Sequence, residues 1–144
     1  MLNRFGKIAV LLLLCLGLAP AADKKPIRPQ GADPSASWSH GILVDGTLYI
    51  SGMGGEDAKG KIPNGFEAEM KQSLQNIDAV LKAANMSVAD AVSVQVYLTD
   101  VALFERMNVV YKTYFVDPKP ARTTVVVSKL VGPGHIEITV TAKK

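Results

Sequence analysis

The sequence predicts a single α+β domain: two amphipathic helices covering one face of one mixed sheet, in the order β-β-α-β-α-β-β. Three observations predict it. Residues 66–85 and 101–115 carry apolar side chains at helical spacing, while residues 91–99 and 136–143 alternate with period two. Each helical stretch follows a strand and leads into another, so both cross the same face of a single sheet. The chain has 144 residues, which suits one domain.

Residues 1–22 stand apart from that domain. Arg4 and Lys7 precede an apolar run over 8–18, and Ala19-Pro20-Ala21-Ala22 supplies small residues after it. Charge, apolar run and small-residue site come in the order of a cleavable secretory signal, with cleavage after Ala21 or Ala22. The run is about half the roughly 20 residues a spanning helix requires, so no membrane association is expected once the signal is removed. Export, to the periplasm in a bacterium, is the expected localisation.

Residues 23–37, rich in Pro, Lys, Ala and Ser, read as an irregular lead-in, which puts the domain at 38–144. Residues 40–44 and 47–51 flank Asp45-Gly46, the favoured two-residue hairpin turn. The glycine-rich stretch 52–65 is a loop. It lacks a phosphate-loop Lys-Ser/Thr pair, and its glycines do not open a helix in the dinucleotide-binding manner. In the first helix Met70, Leu74, Ile77 and Leu81 form one apolar stripe. In the strand after it Val92, Val94, Val96 and Leu98 share one face, and Ser93, Gln95, Tyr97 and Thr99 the other. Asp100 is placed to cap the second helix, whose inner face carries Phe104, Met107, Tyr111 and Tyr114. Asp117-Pro118-Lys119-Pro120 ends it. Residues 122–130 are β-branched and read as a strand. Gly132-Pro133-Gly134 turns the chain into the last strand, where Ile136, Ile138, Val140 and Ala142 alternate with Glu137, Thr139, Thr141 and Lys143. The sheet face away from the helices then holds Gln95, Tyr97, Glu137 and Thr139. It is too weakly charged to be simply solvated, which predicts burial against further copies of the chain.

Composition excludes several chemistries. Loss of the signal removes two of the 16 basic residues and lowers the net charge from +3 to +1, leaving no electrostatic footprint for nucleic acid. It also removes Cys15, the only cysteine, and with it any disulfide, thiolate nucleophile or cysteine metal site. His40 and His135 are far apart without a paired ligand at helical spacing, so no metal site is expected. No Gly-x-Ser-x-Gly elbow is present. A small polar set at strand ends remains. Arg122, where a Pro-bearing turn enters a strand, can fork onto a carboxylate; taken alone, it reads first as an ordinary surface arginine. Glu137 lies on the non-core face of the last strand, Asn108 flanks core-facing Met107, and Trp38 precedes the first hairpin strand.

Six segments decide among these readings. Ile50-Ser51-Gly52, Gln72-Ser73-Leu74-Gln75-Asn76, Val96-Tyr97-Leu98-Thr99-Asp100, Phe104 with Met107-Asn108-Val109-Val110-Tyr111, Pro120-Ala121-Arg122-Thr123-Thr124 and Ile136-Glu137-Ile138 resemble the reactive intermediate deaminase family, RidA, also called YjgF or L-PSP endoribonuclease. The match runs in order over nearly all of the chain after the signal, with equal spacing except before Arg122.

The resemblance implies a chorismate-mutase-like fold and a homotrimer with clefts between subunits. It also implies cofactor-free, metal-free hydrolysis of imines and enamines such as 2-iminopropanoate or 2-iminobutanoate to keto acid and ammonia. By the same resemblance Arg122 clamps the substrate carboxylate and Glu137 holds or deprotonates the attacking water. Trp38, His40, Ser51, Gly52, Asn108 and Thr124 fall at substrate-binding positions. Trp38 stands where relatives often have Tyr, His40 where they have Gln, Met53 where Gln is usual, and Thr124 where Cys or Ser is common; Thr139 replaces a second Glu, and the loop before Pro120 is shortened. A non-catalytic binder of small carboxylates and, on the family's other name, a ribonuclease are the competing readings.

Overall fold

The computed structural model of the chain describes residues 22–144, so residues 1–21 of the signal segment, Cys15 among them, lie outside the described residues. The domain is a six-stranded mixed sheet with two helices on one face. The strands are β1 (Lys25–Ile27), β2 (Gly41–Val44), β3 (Thr47–Met53), β4 (Ala91–Leu98), β5 (Ala121–Val126) and β6 (Ile136–Lys143), ordered β1-β2-β3-β6-β4-β5 across the sheet. All neighbours are antiparallel except β4 and β5. Helices α1 (Phe66–Ala83) and α2 (Phe104–Tyr114) cross between strands as the periodicity predicts.

The hairpin forms at the expected place. Asp45 and Gly46 have φ of 49° and 70°, the positive pair that a tight turn between twisted strands requires. On the helix side Leu48, Ile50, Val94, Val96, Leu98, Ile136, Ile138 and Val140 are buried against Met70, Leu74, Ile77 and Leu81 of α1 and Met107 of α2. Gly41 leaves the room that Leu48 and Val80 occupy. On the open side Gln95, Tyr97, Glu137 and Thr139 alternate outward as predicted, and Thr139 donates a hydrogen bond across the strands to Gln95 (2.7 Å).

Four sequence expectations need correction. The lead-in is not wholly irregular: Lys25–Ile27 pairs with Leu43–Gly41 as a short edge strand, and Ile27 enters the core, so the folded unit begins before residue 38. The hydrophobic signal of three residues, one of them Pro26, is too short to read as a strand. β5 stops at Val126 rather than running to residue 130, because β4, its pairing partner, ends at Leu98 opposite Val126. The segment over 101–103 is a tight 3-10 turn, and α2 begins at Phe104. Asp100 does cap this entry, accepting from the Ala102 amide (2.8 Å). Finally α1 ends at Ala83, because Asn85 takes a left-handed φ of 55°.

Three polar residues of α1 face inward and tie it to the strand ends. Glu69 is 1 % exposed; it accepts from the His135 amide (2.5 Å) and the Ile136 amide (3.3 Å), and its other oxygen lies 2.8 Å from His135 Nδ1. Ser73 donates to the Met53 carbonyl (2.8 Å), and Asn76 Nδ2 donates to the carbonyls of Gly54 (3.0 Å) and Glu56 (2.9 Å). These bonds hold the glycine-rich loop after β3 and the turn before β6 side by side. Glu69→Ala will cost about 3 kcal/mol, because it strands two amides that only the carboxylate satisfies. The check is the urea midpoint at unchanged slope; a loss below about 1 kcal/mol would mean that water replaces the carboxylate.

Candidate active site

The pleat of the sheet sorts the sequence-predicted site residues into two groups. Glu137 lies between buried Ile136 and Ile138 and opposite Tyr97, so it emerges on the open face. Arg122 lies opposite buried Val94, so it emerges on the helix face of the edge strand β5. The two are also far apart in register. Arg122 is level with Val140, three residues from Glu137, and one strand lies between β5 and β6. That puts them roughly 10 Å apart across the sheet and roughly 10 Å along it. Within one chain they do not meet.

The first group is Trp38, His40, Ser51, Gly52 and Glu137. Ser51 is used structurally: its amide donates to the His40 carbonyl (3.0 Å) and its hydroxyl to the Ser39 carbonyl (2.7 Å), fixing the approach to β2 beside the end of β3. The Trp38 and His40 rings then stack in a tilted pair with centroids 4.5 Å apart. Gly52 gives the Glu137 side chain its place: a Cβ on Gly52 would strike the Glu137 carboxylate. Trp38, His40, Gly52 and Glu137 line one cavity of about 390 Å³, closed on its far side by Gly132 and Gly134. Burial, reinforced by the charge of Arg28, holds the His40 imidazole below its ordinary value, and its Nδ1 is buried without a partner among the described residues.

The second group is Arg122, Asn108 and Thr124. Arg122 Nη1 donates to Asn108 Oδ1 (2.9 Å), and the guanidinium lies 4.5 Å from the Tyr111 ring centroid and 5.9 Å from that of Phe104. Helix α2 therefore presents Arg122 at the sheet edge with one amino group engaged. Its Nε and second amino group have no partner among the described residues, which leaves a fork for a carboxylate. The hydroxyls of Thr124 and Tyr111 are buried there without partners, and burial pushes the Tyr111 phenol up while Arg122 opposes the shift.

Sequence reading missed Tyr111 as part of this setting, since it sits on the apolar stripe of α2. The only signal was a hydroxyl where Phe would pack equally well. It also missed Glu56, which enters the Glu137 cavity from a loop with no periodicity.

The comparisons with known proteins agree with this architecture. The family described as Endoribonuclease L-PSP matches residues 29–144, and the chain belongs to it. Its relatives include a 2-iminobutanoate/2-iminopropanoate deaminase of Bos taurus, 43 % identical over 103 residues, covering 70 % of this chain and 75 % of that one. A RutC family protein of Aquifex aeolicus is 36 % identical over 119 residues, covering 81 % and 95 %. Among solved structures, RidA from the Antarctic bacterium Psychrobacter superposes with a TM-score of 0.78 at 33 % identity, covering 83 % of this chain and 99 % of that one. The fold class and the family read from the sequence are thereby borne out.

Two outcomes follow. Gly52→Ala will displace the Glu137 carboxylate, because the flexible side chain yields before the backbone does. Stability will change by less than about 1 kcal/mol while ligand binding in the cavity weakens. A crystal structure with Glu137 unmoved would contradict this. In an NMR titration, His40 will have its midpoint below 6.5. Because the folded form favours the neutral ring, the linked stability is present above pH 6.5 and is lost as the pH falls through the lower folded-state value.

Proposed function

We propose that the protein hydrolyses reactive 2-imino acids of the 2-iminopropanoate and 2-iminobutanoate type, and their enamine tautomers. It does so as a homotrimer in which Arg122 of one copy and Glu137 of the next share a cleft. The iminium carbon takes up water, the C–N bond breaks, and the products are a 2-oxo acid and ammonium. The observation that carries the reading is the division of the two groups between opposite faces of one sheet, two strands and three residues of register apart. Each half is fitted for its part, and one small substrate reaches both only where two copies meet.

The chemistry asks little of the protein. An imine is already electrophilic, so holding it beside an oriented water supplies most of what is required. Arg122, steadied by Asn108 and the Tyr111 ring, offers the carboxylate fork. Glu137, seated over Gly52 in the cavity, can align or deprotonate the water. Membership of a family that includes a named imine deaminase at 43 % identity supports the activity. Tyr49 and Val125, 53 % and 42 % exposed on the open face, support its cover by further copies. The leading 22 residues, read as an export signal, would set the reaction outside the cytoplasm.

The test generates imino acids with an amino-acid oxidase in the presence of semicarbazide and measures how far the protein outcompetes the trap. Arg122→Ala and Glu137→Ala will each abolish the effect. Mixed from the dissociated state in equal amounts, the two inactive variants will recover about one quarter of the wild-type activity, because random assembly rebuilds that share of two-copy sites. No recovery in demonstrably mixed oligomers would sink the shared cleft. An inactive wild type that still binds 2-oxobutanoate would mark a carboxylate binder instead.

A further inference from the structure

The cavity that holds Glu137 contains a second carboxylate that the deaminase reading leaves unused. Glu56 reaches into it from the loop after β3. Its Oε2 occupies the space a Cβ on Gly54 would need, and its Oε1 lies 3.1 Å from where a Cβ on Gly132 would sit. Glu137 stands in the same relation to Gly52, two residues earlier. The missing side chains at Gly52 and Gly54 thus leave room for two carboxylates in one cavity. Neither accepts a hydrogen bond or an ion pair from any described residue. Asp57, also on the wall, is different: its carboxylate accepts from the Lys59 (2.8 Å) and Lys61 (2.9 Å) amides and so belongs to its own turn.

No lysine or arginine is among the residues that line the cavity. The His40 ring, stacked on Trp38, also lines the cavity; its pKa is held low by burial and by the charge of Arg28, so the neutral ring supplies no counter-charge. Apart from the glycines, the rest of the wall is apolar, with Met53, Leu130 and Ile136. Trp38, 48 % exposed, adds a flat aromatic surface at the rim. A substrate ending in a methyl or ethyl group would fill part of such a cavity and leave Glu56 facing hydrocarbon, which costs free energy. A cation would answer both features, pairing with the carboxylate and lying against the indole face.

We infer that this cavity selects 2-imino acids whose side chain ends in a cation, a guanidinium or an ammonium, with Glu56 and Trp38 as its specificity-determining residues. The inference rests on the deaminase reading for the position of the reacting carbon. The spacing fits. Gly52 and Gly54 are two residues apart, so the seats of Glu137 and Glu56 lie at most about 7 Å from each other. The five bonds from the imine carbon to the guanidinium carbon of an arginine-derived imine span about 6 Å. With Glu137 at the imine carbon, the guanidinium arrives at Glu56 while the carboxylate points out toward Arg122 of the neighbouring copy.

Trp38 is the only tryptophan of the chain, so its fluorescence reports occupancy of this cavity directly and without turnover. The experiment titrates the purified full-length oligomer with two 2-oxo acid products, 5-guanidino-2-oxopentanoate and 2-oxobutanoate. Wild type will bind the guanidino acid about tenfold more tightly, a preference that shrinks as salt is raised. Glu56→Gln will bring the ratio of the two affinities close to one, and Glu56→Lys will invert the charge preference toward the dicarboxylate 2-oxoglutarate. Equal affinities in wild type, or a preference that survives Glu56→Gln, would overturn the inference. The semicarbazide competition, run in parallel with imines from arginine and from alanine, separates the two ideas. Hydrolysis of both imines without a cationic preference rejects the specificity and keeps the deaminase. Preferential binding of the guanidino acid without hydrolysis of either imine does the reverse.

Discussion

The pleat of β6 and β4 sets the face of the sheet on which Glu137 and, through pairing with β5, Arg122 emerge. One face of the sheet is committed to the core by Ile136, Ile138 and Val140 on β6 and by Val94, Val96 and Leu98 on β4. Because successive side chains point to opposite faces, that commitment sends Glu137 to the open face and leaves Arg122, opposite Val94, on the helix face. A slip of one residue would exchange faces, turning Glu137 of β6 or Gln95 and Tyr97 of β4 toward the core, so the register is strongly held. Separation of the acid from the base is thus a consequence of core packing. A site that joins them has to be assembled from more than one copy.

Helix α1 turns that framework into a cavity. Its apolar stripe packs on the sheet, but Glu69, Ser73 and Asn76 use the same inner side to capture backbone groups from two loops. Buried polar groups are tolerated there because each is satisfied. Glu69 anchors the turn before β6, and Asn76 anchors the loop after β3. Between these anchored segments lies the space that Glu137 and Glu56 enter. The cavity wall is thus held by hydrogen bonds from side chains that do not themselves line the space beside Glu137 and Glu56.

Helix α2 performs the matching service for Arg122. The Tyr111 ring and the Asn108 amide hold the guanidinium at the edge of the sheet, where it is exposed but oriented. A flexible arginine would spend part of its binding energy on ordering itself at each encounter. Under the proposed role, the guanidinium already laid on an aromatic ring would lose less on binding a carboxylate.

Much of this was legible along the chain. Strict alternation in 91–99 and 136–143 named the faces, the Met70–Leu74–Ile77–Leu81 stripe named the core side of α1, and Asp45-Gly46 named the hairpin. Those signals are local and repeat at the period of the backbone itself, so the sequence determined the helices, the main strands, the faces of most strand residues and the family; Val92, read as core-facing, is instead exposed, because a register shift between Ala91 and Ser93 breaks the alternation there and buries Ala91. Other features carried no periodic mark. Lys25–Ile27 becomes a strand only because β2 offers it an edge; β5 ends where β4 ends; Glu69 and Glu56 look like surface residues until the loops they meet are folded beside them. Which of the candidate residues share a cavity, and that Arg122 and Glu137 of one chain do not, was decided by tertiary structure alone. The distance between two side chains in space depends on strand order and pairing register, and neither is written in the spacing of residues along a single strand.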